Sequence, residues 1–109
     1  MSRSLADIWF DPFREKDVTK LEAALTDDFV HTSPFGIVDG KAAYVRLVRR
    51  NEEAFFANPI EVVDMIDLGE RCAVRYVVGE MAACDCIYGR DGKISTVFSY
   101  YHVGERPVM

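Results

Sequence analysis

The residues best suited to move protons are a histidine in the first third of the chain, His31, and an aspartate in the last third, Asp85. An unperturbed histidine titrates near neutral pH, which suits a general base. Asp85 is flanked by Cys84 and Cys86, and burial in such apolar company raises the pKa of a carboxyl group. If both side chains face one cavity, His31 could take a proton from a carbon beside a carbonyl, and Asp85 could stabilise the oxyanion that forms.

Each of these residues also has a purely structural interpretation. Asp85 could point outward to water or pair with an arginine such as Arg75 or Arg90. His31 could lie at a rim with its ring hydrogen-bonded to backbone. Strand alternation places His31 and Ser33 on one face, so these two residues share whichever surroundings that face has.

The sequence predicts no metal and no cofactor. The two histidines, His31 and His102, form neither an HxH nor an HxxxH pair. The three cysteines, Cys72, Cys84 and Cys86, are odd in number and contain no CxxC pair. Unpaired thiols in apolar surroundings are typical of a reducing compartment, so we expect a cytoplasmic protein.

The composition is that of an acidic globular chain. Its 109 residues are 50% apolar, and 13 lysines and arginines stand against 18 aspartates and glutamates, for a formal net charge of -5. Nucleic-acid binding is not expected, because it depends on cations that neutralise phosphates. The N-terminal stretch lacks a signal-peptide pattern and no uncharged run is long enough to span a bilayer, so no membrane is expected either.

The hydrophobic pattern predicts helices first and strands afterwards. Leu5 to Phe13 repeat at helical spacing behind a Ser4 cap, and Pro12 should kink or end that helix. The later elements are a helix from Asp17 to about Thr26, a strand at 29–33, a loop at 34–40, a helix from Lys41 to Pro59, and strands at 60–67, 71–78, 81–88 and 93–103. This order predicts an α+β fold with an antiparallel sheet, because parallel neighbours would need a helix between successive strands.

Four strings in this order resemble the nuclear transport factor 2-like superfamily, in its SnoaL-like and ketosteroid isomerase-like branch. They are LEAALTDDFV at 21–30, SPFG at 33–36, DGKAAY at 39–44 and the stretch 85–94. The resemblance implies a single SnoaL-like domain over residues 1–109, in which a cone-shaped, curved antiparallel sheet wraps around N-terminal helices, as in cystatin-like folds. It also implies an apolar pocket in the open end of the cone and a homodimer through the outer sheet face.

Of the three catalytic positions of the steroid isomerases, one has the same residue type in this sequence and two have a different one. Ser33 stands before the Pro-x-Gly turn where those enzymes carry a carboxylate base, and Trp9 stands where they carry an oxyanion-binding tyrosine. Asp85 matches the aspartic acid that those enzymes keep protonated, a well-known example of a carboxyl group that stays neutral at pH 7. Steroid isomerase activity is therefore not expected, and His31 is left as the candidate base.

Further positions are expected to line the pocket and bind a ligand: Trp9, Phe13, Ser33, Phe55, Val97, Ser99 and Tyr101. The tight turn at Gly79 and Glu80 should either narrow the pocket or open one of its walls, so a ligand of steroid size is not expected. The residues leave two functions open. One is an enzyme of isomerase, cyclase or lyase type that does acid/base chemistry on a small, apolar, carbonyl-bearing molecule, with Asp85 and His31 as catalytic residues. The other is a non-catalytic ligand-binding or dimeric scaffold domain.

Overall fold

The computed structural model describes residues 3–102, and it contains four helices and six strands within that range. The helices are α1 (Leu5–Arg14), α2 (Val18–Ala24), α3 (Lys41–Arg50) and α4 (Glu52–Phe55). The strands are β1 (Leu25–Ser33), β2 (Gly36–Asp39), β3 (Ile60–Asp67), β4 (Arg71–Val78), β5 (Met81–Arg90) and β6 (Lys93–Tyr101). The predicted end of the last strand, Val103, lies outside the described residues.

The six strands form one curved, unclosed sheet in the order β2-β1-β6-β5-β4-β3. The expected α+β fold, a curved sheet wrapped around helices, is confirmed. One neighbouring pair departs from the antiparallel expectation, because β1 and β6 run parallel. The crossover that a parallel pair requires is supplied by everything between these two strands, namely α3, α4 and four further strands.

The two N-terminal helices begin at residues whose side chains cap the first turn. The Ser4 side chain accepts a hydrogen bond from the Asp7 amide and starts α1, and Asp17 does the same for Lys20 at α2. Pro12 was predicted to kink or end α1, and the helix does not end there, since it continues to Arg14. A proline this close to the C-terminal end removes a single backbone hydrogen bond, and its ring is buried in the core.

Several further boundaries differ from the prediction. β5 continues to Arg90, beyond the predicted end at residue 88. β1 begins at Leu25, not at residue 29, and it contains a bulge between its pairings at Leu25 and Val30. The predicted loop at 34–40 contains the four-residue strand β2, and the helix from Lys41 breaks at Asn51. The strands at 60–67 and 71–78 begin and end where they were predicted.

The core lies between the helices and the inner face of the sheet. β4, β5 and β6 present buried side chains at alternate positions, with Val74, Ile87 and Val97 fully buried. The same face also buries the polar side chains of Asp85 and Ser99. No helix in the described part of the chain combines the length and the apolar character that crossing a membrane requires.

Candidate active site

Asp85 is a buried carboxyl group in the middle of β5, on the inner face of the sheet, with 1% of its surface exposed. Trp9 on α1 donates its indole N–H to Oδ2 at 2.8 Å, and Tyr76 on β4 donates its hydroxyl to Oδ1 at 3.0 Å. Burial raises the pKa of Asp85, and hydrogen bonds from Ser99, Trp9 and Tyr76 offset part of that rise. Asp85 therefore holds a proton more readily than an ordinary aspartate.

The arginines that might have paired with Asp85 are engaged elsewhere. Arg75 pairs with Asp64 across the outer face, and Arg90 pairs with Asp28 near the end of the sheet. All four of these side chains are largely exposed. The interpretation of Asp85 as a surface residue or an arginine partner is therefore not realised.

His31 lies on β1 with 7% of its surface exposed, and its Nε2 is 2.9 Å from Ser99 Oγ. The direction of this hydrogen bond depends on which ring nitrogen carries the proton. Burial lowers the pKa of His31 to about 4, so the ring is neutral at pH 7 and able to accept a proton. Ser99 is the cross-strand partner of Asp85, so one hydroxyl lies between the two candidate catalytic groups.

These groups form the polar floor of a cavity of about 690 Å³. Its walls are largely apolar and aromatic, and the lining includes no lysine or arginine among the described residues. The mouth lies by the turn between β1 and β2, where Phe35 and Ile37 are strongly exposed. The Phe35 ring lies next to the Tyr101 ring in a tilted arrangement, with centroids 5.8 Å apart. The cavity suits a small ligand that is apolar and carries no negative charge.

Six of the seven predicted lining residues do line this cavity: Trp9, Phe13, Ser33, Phe55, Ser99 and Tyr101. Val97 does not, because the cavity ends at the row formed by Asp85 and Ser99. Val97 lies one row deeper, opposite Ile87, where it is fully buried in the core. Strand alternation identifies the face on which a side chain lies but not its depth below the cavity.

Two lining residues have hydrogen bonds that differ from what a ligand-binding role would suggest. The indole N–H of Trp9 points to Asp85 and not into the cavity. The Ser33 hydroxyl accepts a hydrogen bond from the Phe35 amide at 3.1 Å, which stabilises the turn after β1. Both residues therefore shape the site through protein contacts.

Two tyrosines of the site were missed. Tyr76 lies on the same face of β4 as Val74, the cross-strand partner of Asp85, so the alternation within predicted strands contained a signal for it. Tyr44 on α3 was noted only as part of the string at 39–44, and it is 2% exposed. Its hydroxyl, however, has no hydrogen-bond partner among residues 3–102, and it is not sealed from the cavity it lines. Burial raises the pKa of Tyr44 well above its usual range, so this hydroxyl is a neutral donor.

The site offers no set of metal ligands within the described residues. No group of three or more His, Cys, Asp or Glu side chains there is placed to hold an ion. The three cysteines are free thiols, and Cys84 and Cys86 lie on the opposite face of the sheet from Asp85. The chemistry of the cavity thus depends on His31, Asp85 and the surrounding hydroxyl groups.

Comparison with known proteins identifies the family. The sequence model of the SnoaL-like domain matches residues 6–99. The chain belongs to this SnoaL-like family. This confirms the resemblance drawn from the four sequence strings, and it places the domain within the nuclear transport factor 2-like superfamily. No curated protein matches the chain.

Solved structures show the same fold at low sequence identity. A protein from Kribbella flavida that carries a provisional ketosteroid isomerase name is 22% identical, with a TM-score of 0.74 over 96% of this chain and 80% of that one. A SnoaL-like protein of unknown function from Burkholderia thailandensis is 19% identical, with a TM-score of 0.69 over 88% and 89%. A ketosteroid isomerase-like protein from Catenulispora acidiphila, solved with trimethylamine, is 12% identical, with a TM-score of 0.75 over 94% and 88%. At these identities the likeness concerns the fold alone.

Proposed function

We propose that this SnoaL-like protein is an enzyme that moves a proton on a small, apolar, carbonyl-bearing molecule, with His31 as the base and Asp85 as the acid. The observation that carries the proposal is the pairing of a neutral histidine with a buried carboxyl group at one end of an otherwise apolar cavity. Pairs of titratable groups whose surroundings displace their pKa values suit acid/base catalysis.

The roles follow from the free positions in the site. His31 Nε2 is engaged with Ser99, so Nδ1 is the ring nitrogen available to a substrate. As it takes a proton from the carbon beside the carbonyl, the C–H electron pair forms a C=C bond and the carbonyl π pair moves to oxygen. The Tyr44 hydroxyl, unpartnered within residues 3–102, can donate to that oxygen, and Asp85 supplies the proton that neutralises it.

The cavity also limits the substrate class. An anionic substrate would need a cation to replace its hydration shell, and no lysine or arginine lines the cavity in the described part of the chain. A carboxylate or phosphate on the substrate would also be repelled by Asp85 whenever Asp85 is ionised. The expected substrate is therefore a neutral ketone, enone or lactone, for which isomerase, cyclase or lyase chemistry would each begin with the same proton transfer.

The proposal is tested by hydrogen exchange at carbon. The protein is incubated in D2O with 2-decalone and cyclohex-2-enone, and deuterium uptake beside the carbonyl is followed by mass spectrometry. We expect His31→Gln to slow this uptake by about 100-fold or more and Asp85→Asn to slow it as well. His102→Gln is the matched control, because His102 is exposed and lies outside the cavity. Equal uptake by wild type and H31Q would contradict the proposal.

A second candidate function is non-catalytic ligand binding. The favouring observation is that both Asp85 oxygens already accept hydrogen bonds from the protein, from Trp9 and Tyr76. A carboxylate held in this way, among aromatic rings, would suit a small protonated amine, and the Catenulispora acidiphila relative was solved with trimethylamine. Binding of trimethylammonium by isothermal titration calorimetry, lost in D85N, together with no deuterium uptake by any ketone, would favour this function.

We also propose that a second copy of the chain covers the outer face of the sheet. That face exposes Tyr88 and Tyr100 and leaves Cys84, Cys86 and Phe98 only half-buried. Apolar surface of this kind on a sheet is favourably buried in an interface. Light scattering after size exclusion should show a dimer for wild type and a monomer for Tyr100→Glu. Ile37→Glu, which places the same charge at the cavity mouth, should leave the dimer intact.

A further inference from the structure

Ser99 holds a position that its predicted role as a ligand contact does not explain. It lies on the inner face of β6 with 2% of its surface exposed, and it is the direct cross-strand partner of Asp85. Its hydroxyl oxygen is also 2.9 Å from His31 Nε2. One small hydroxyl group is thus hydrogen-bonded to the candidate base and lies directly across the strand pair from the candidate acid.

The other partners of Asp85 are fixed donors. The Trp9 indole can only donate, and it occupies Oδ2, while the Tyr76 hydroxyl occupies Oδ1. The Ser99 hydroxyl has one proton and two lone pairs, so it can donate to Asp85 or to His31 but not to both. The direction of the hydrogen bond between Ser99 and His31 therefore depends on what Asp85 needs.

Two arrangements of the protons give Asp85, Ser99 and His31 a complete set of hydrogen bonds. When Asp85 is ionised, a charge-assisted hydrogen bond draws the Ser99 proton to the carboxylate, so His31 must donate from Nε2 to the Ser99 oxygen, and Nδ1 presents a lone pair to the cavity. When Asp85 is protonated and donates to Ser99, Ser99 donates to Nε2, so the neutral ring carries its proton on Nδ1. The first arrangement has a base at Nδ1 and the second has a donor there.

We propose that Ser99 is a positioning residue that couples the protonation of Asp85 to the tautomer of His31. The two arrangements differ by one proton. That proton enters at Nδ1, the Nε2 proton passes to the Ser99 oxygen, and the original Ser99 proton passes to Asp85. A proton taken from a substrate by His31 is thereby matched by a proton on Asp85, so no charged imidazolium is left in the cavity. Asp85 is ionised when His31 acts as the base, and it gains through Ser99 the proton that the proposed function then transfers to the substrate oxygen.

Apart from Asp85, the groups around His31 do not change charge between acidic and neutral pH, and one of them, Tyr101, also hydrogen-bonds to Ser99. The titratable side chains that face His31 from the neighbouring elements are Tyr44 on α3, Tyr76 on β4, Asp85 on β5 and Tyr101 on β6. Burial raises the pKa of each of these tyrosines, so they stay neutral through the acidic and neutral range. Among the described residues that line the cavity, Asp85 is the one group besides His31 whose charge changes in the acidic and neutral pH range.

The tautomer can be measured without any substrate. This inference rests on the proposed function only where it assigns Nδ1 the role of taking a proton from a substrate. If no ketone exchanged deuterium, the proposed function would fail, but the coupling between Asp85 protonation and the His31 tautomer would still be measurable. The full-length protein is labelled with 15N-histidine and with 13C-aspartate, and spectra are recorded from pH 4.5 to 8.5. The Nδ1 and Nε2 shifts report which nitrogen is protonated, the Asp85 carboxyl shift reports its titration, and exposed His102 serves as the internal reference.

We expect the protonated nitrogen of His31 to change from Nδ1 to Nε2 over the same pH interval in which Asp85 ionises. Ser99→Ala should lose this change while the Asp85 carboxyl still titrates, and Ser99→Thr, which keeps the hydroxyl, should restore it. Asp85→Asn should hold one tautomer at every pH, which provides the test if S99A does not fold. A wild-type tautomer that stays constant while Asp85 titrates, or a change that persists in S99A or D85N, would overturn the inference.

Discussion

The two faces of the sheet use the same residue type in opposite ways. Asp85 lies on the inner face, 1% exposed, and burial raises its pKa. Asp64 lies on β3 at the outer face, more than half exposed, and its hydrogen bond with Arg75 lowers its pKa. Both carboxyl groups have well-placed partners, so partners alone do not decide the protonation state. What differs is the loss of water around Asp85, which neutral donors such as Trp9 and Tyr76 only partly replace.

The largest expected effect comes from removing the donor that Asp85 has on α1. Trp9 is 3% exposed and packs its ring against Phe13, Phe29 and Tyr44. Trp9→Ala should lower the free energy of unfolding by about 3–5 kcal/mol, through lost packing and a cavity in the core. Trp9→Phe is the matched control, because it keeps most of the ring and loses the N–H; it should cost about 1–3 kcal/mol. Urea unfolding measures both, and equal losses would show that packing contributes little.

The second effect concerns His31 and pH. Burial lowers the folded-state pKa of His31 to about 4, while the unfolded chain titrates near its ordinary value of 6.5. Because the unfolded state then binds the proton first, the stability that His31 provides is present above pH 6.5 and is lost as the pH falls toward 4. The loss should be on the order of 3 kcal/mol across this interval.

Urea unfolding between pH 4 and 7 tests this assignment. In His31→Gln the free energy of unfolding should depend less steeply on pH than in wild type, whereas His102→Gln should follow wild type because His102 is exposed. An unchanged slope in H31Q would show that His31 is not neutral in the folded protein.

The contrast between the two faces could be predicted from the sequence only in outline. Strand alternation placed Val97, Ser99 and Tyr101 on one face, the family resemblance implied that this face is the inner one, and local patterns gave the ends of β3 and β4. The sequence could not show that Tyr76 and Trp9 both donate hydrogen bonds to the carboxyl group of Asp85, because that depends on how α1 packs across the sheet. The strand β2 was missed for a related reason: its glycine and exposed side chains resemble a loop, and its pairing with β1 alone makes it a strand.

A third prediction tests the desolvation of Asp85 directly. The folded-state pKa of Asp85 is raised, so the stability that its protonated form provides is present at low pH and is lost as the pH rises through that pKa. Asp85→Asn keeps the shape of the side chain without the charge. Its free energy of unfolding, relative to wild type, should therefore improve as the pH rises from 4 to 8. A difference that does not change with pH would mean that Asp85 is no harder to ionise in the folded protein than in the unfolded chain.

The smallest effect is expected at the outer carboxylate. Asp64 and Arg75 are both more than half exposed, and water and salt screen an ion pair of this kind. Asp64→Asn should leave the free energy of unfolding unchanged within error at neutral pH. The free energies of the variant and of wild type should also remain equal when the salt concentration is raised. The same substitution, aspartate to asparagine, is thus expected to have an effect at one position and none at the other. It makes stability less dependent on pH where the carboxyl group is buried among neutral donors, and it changes nothing measurable where the carboxyl group faces water beside an arginine.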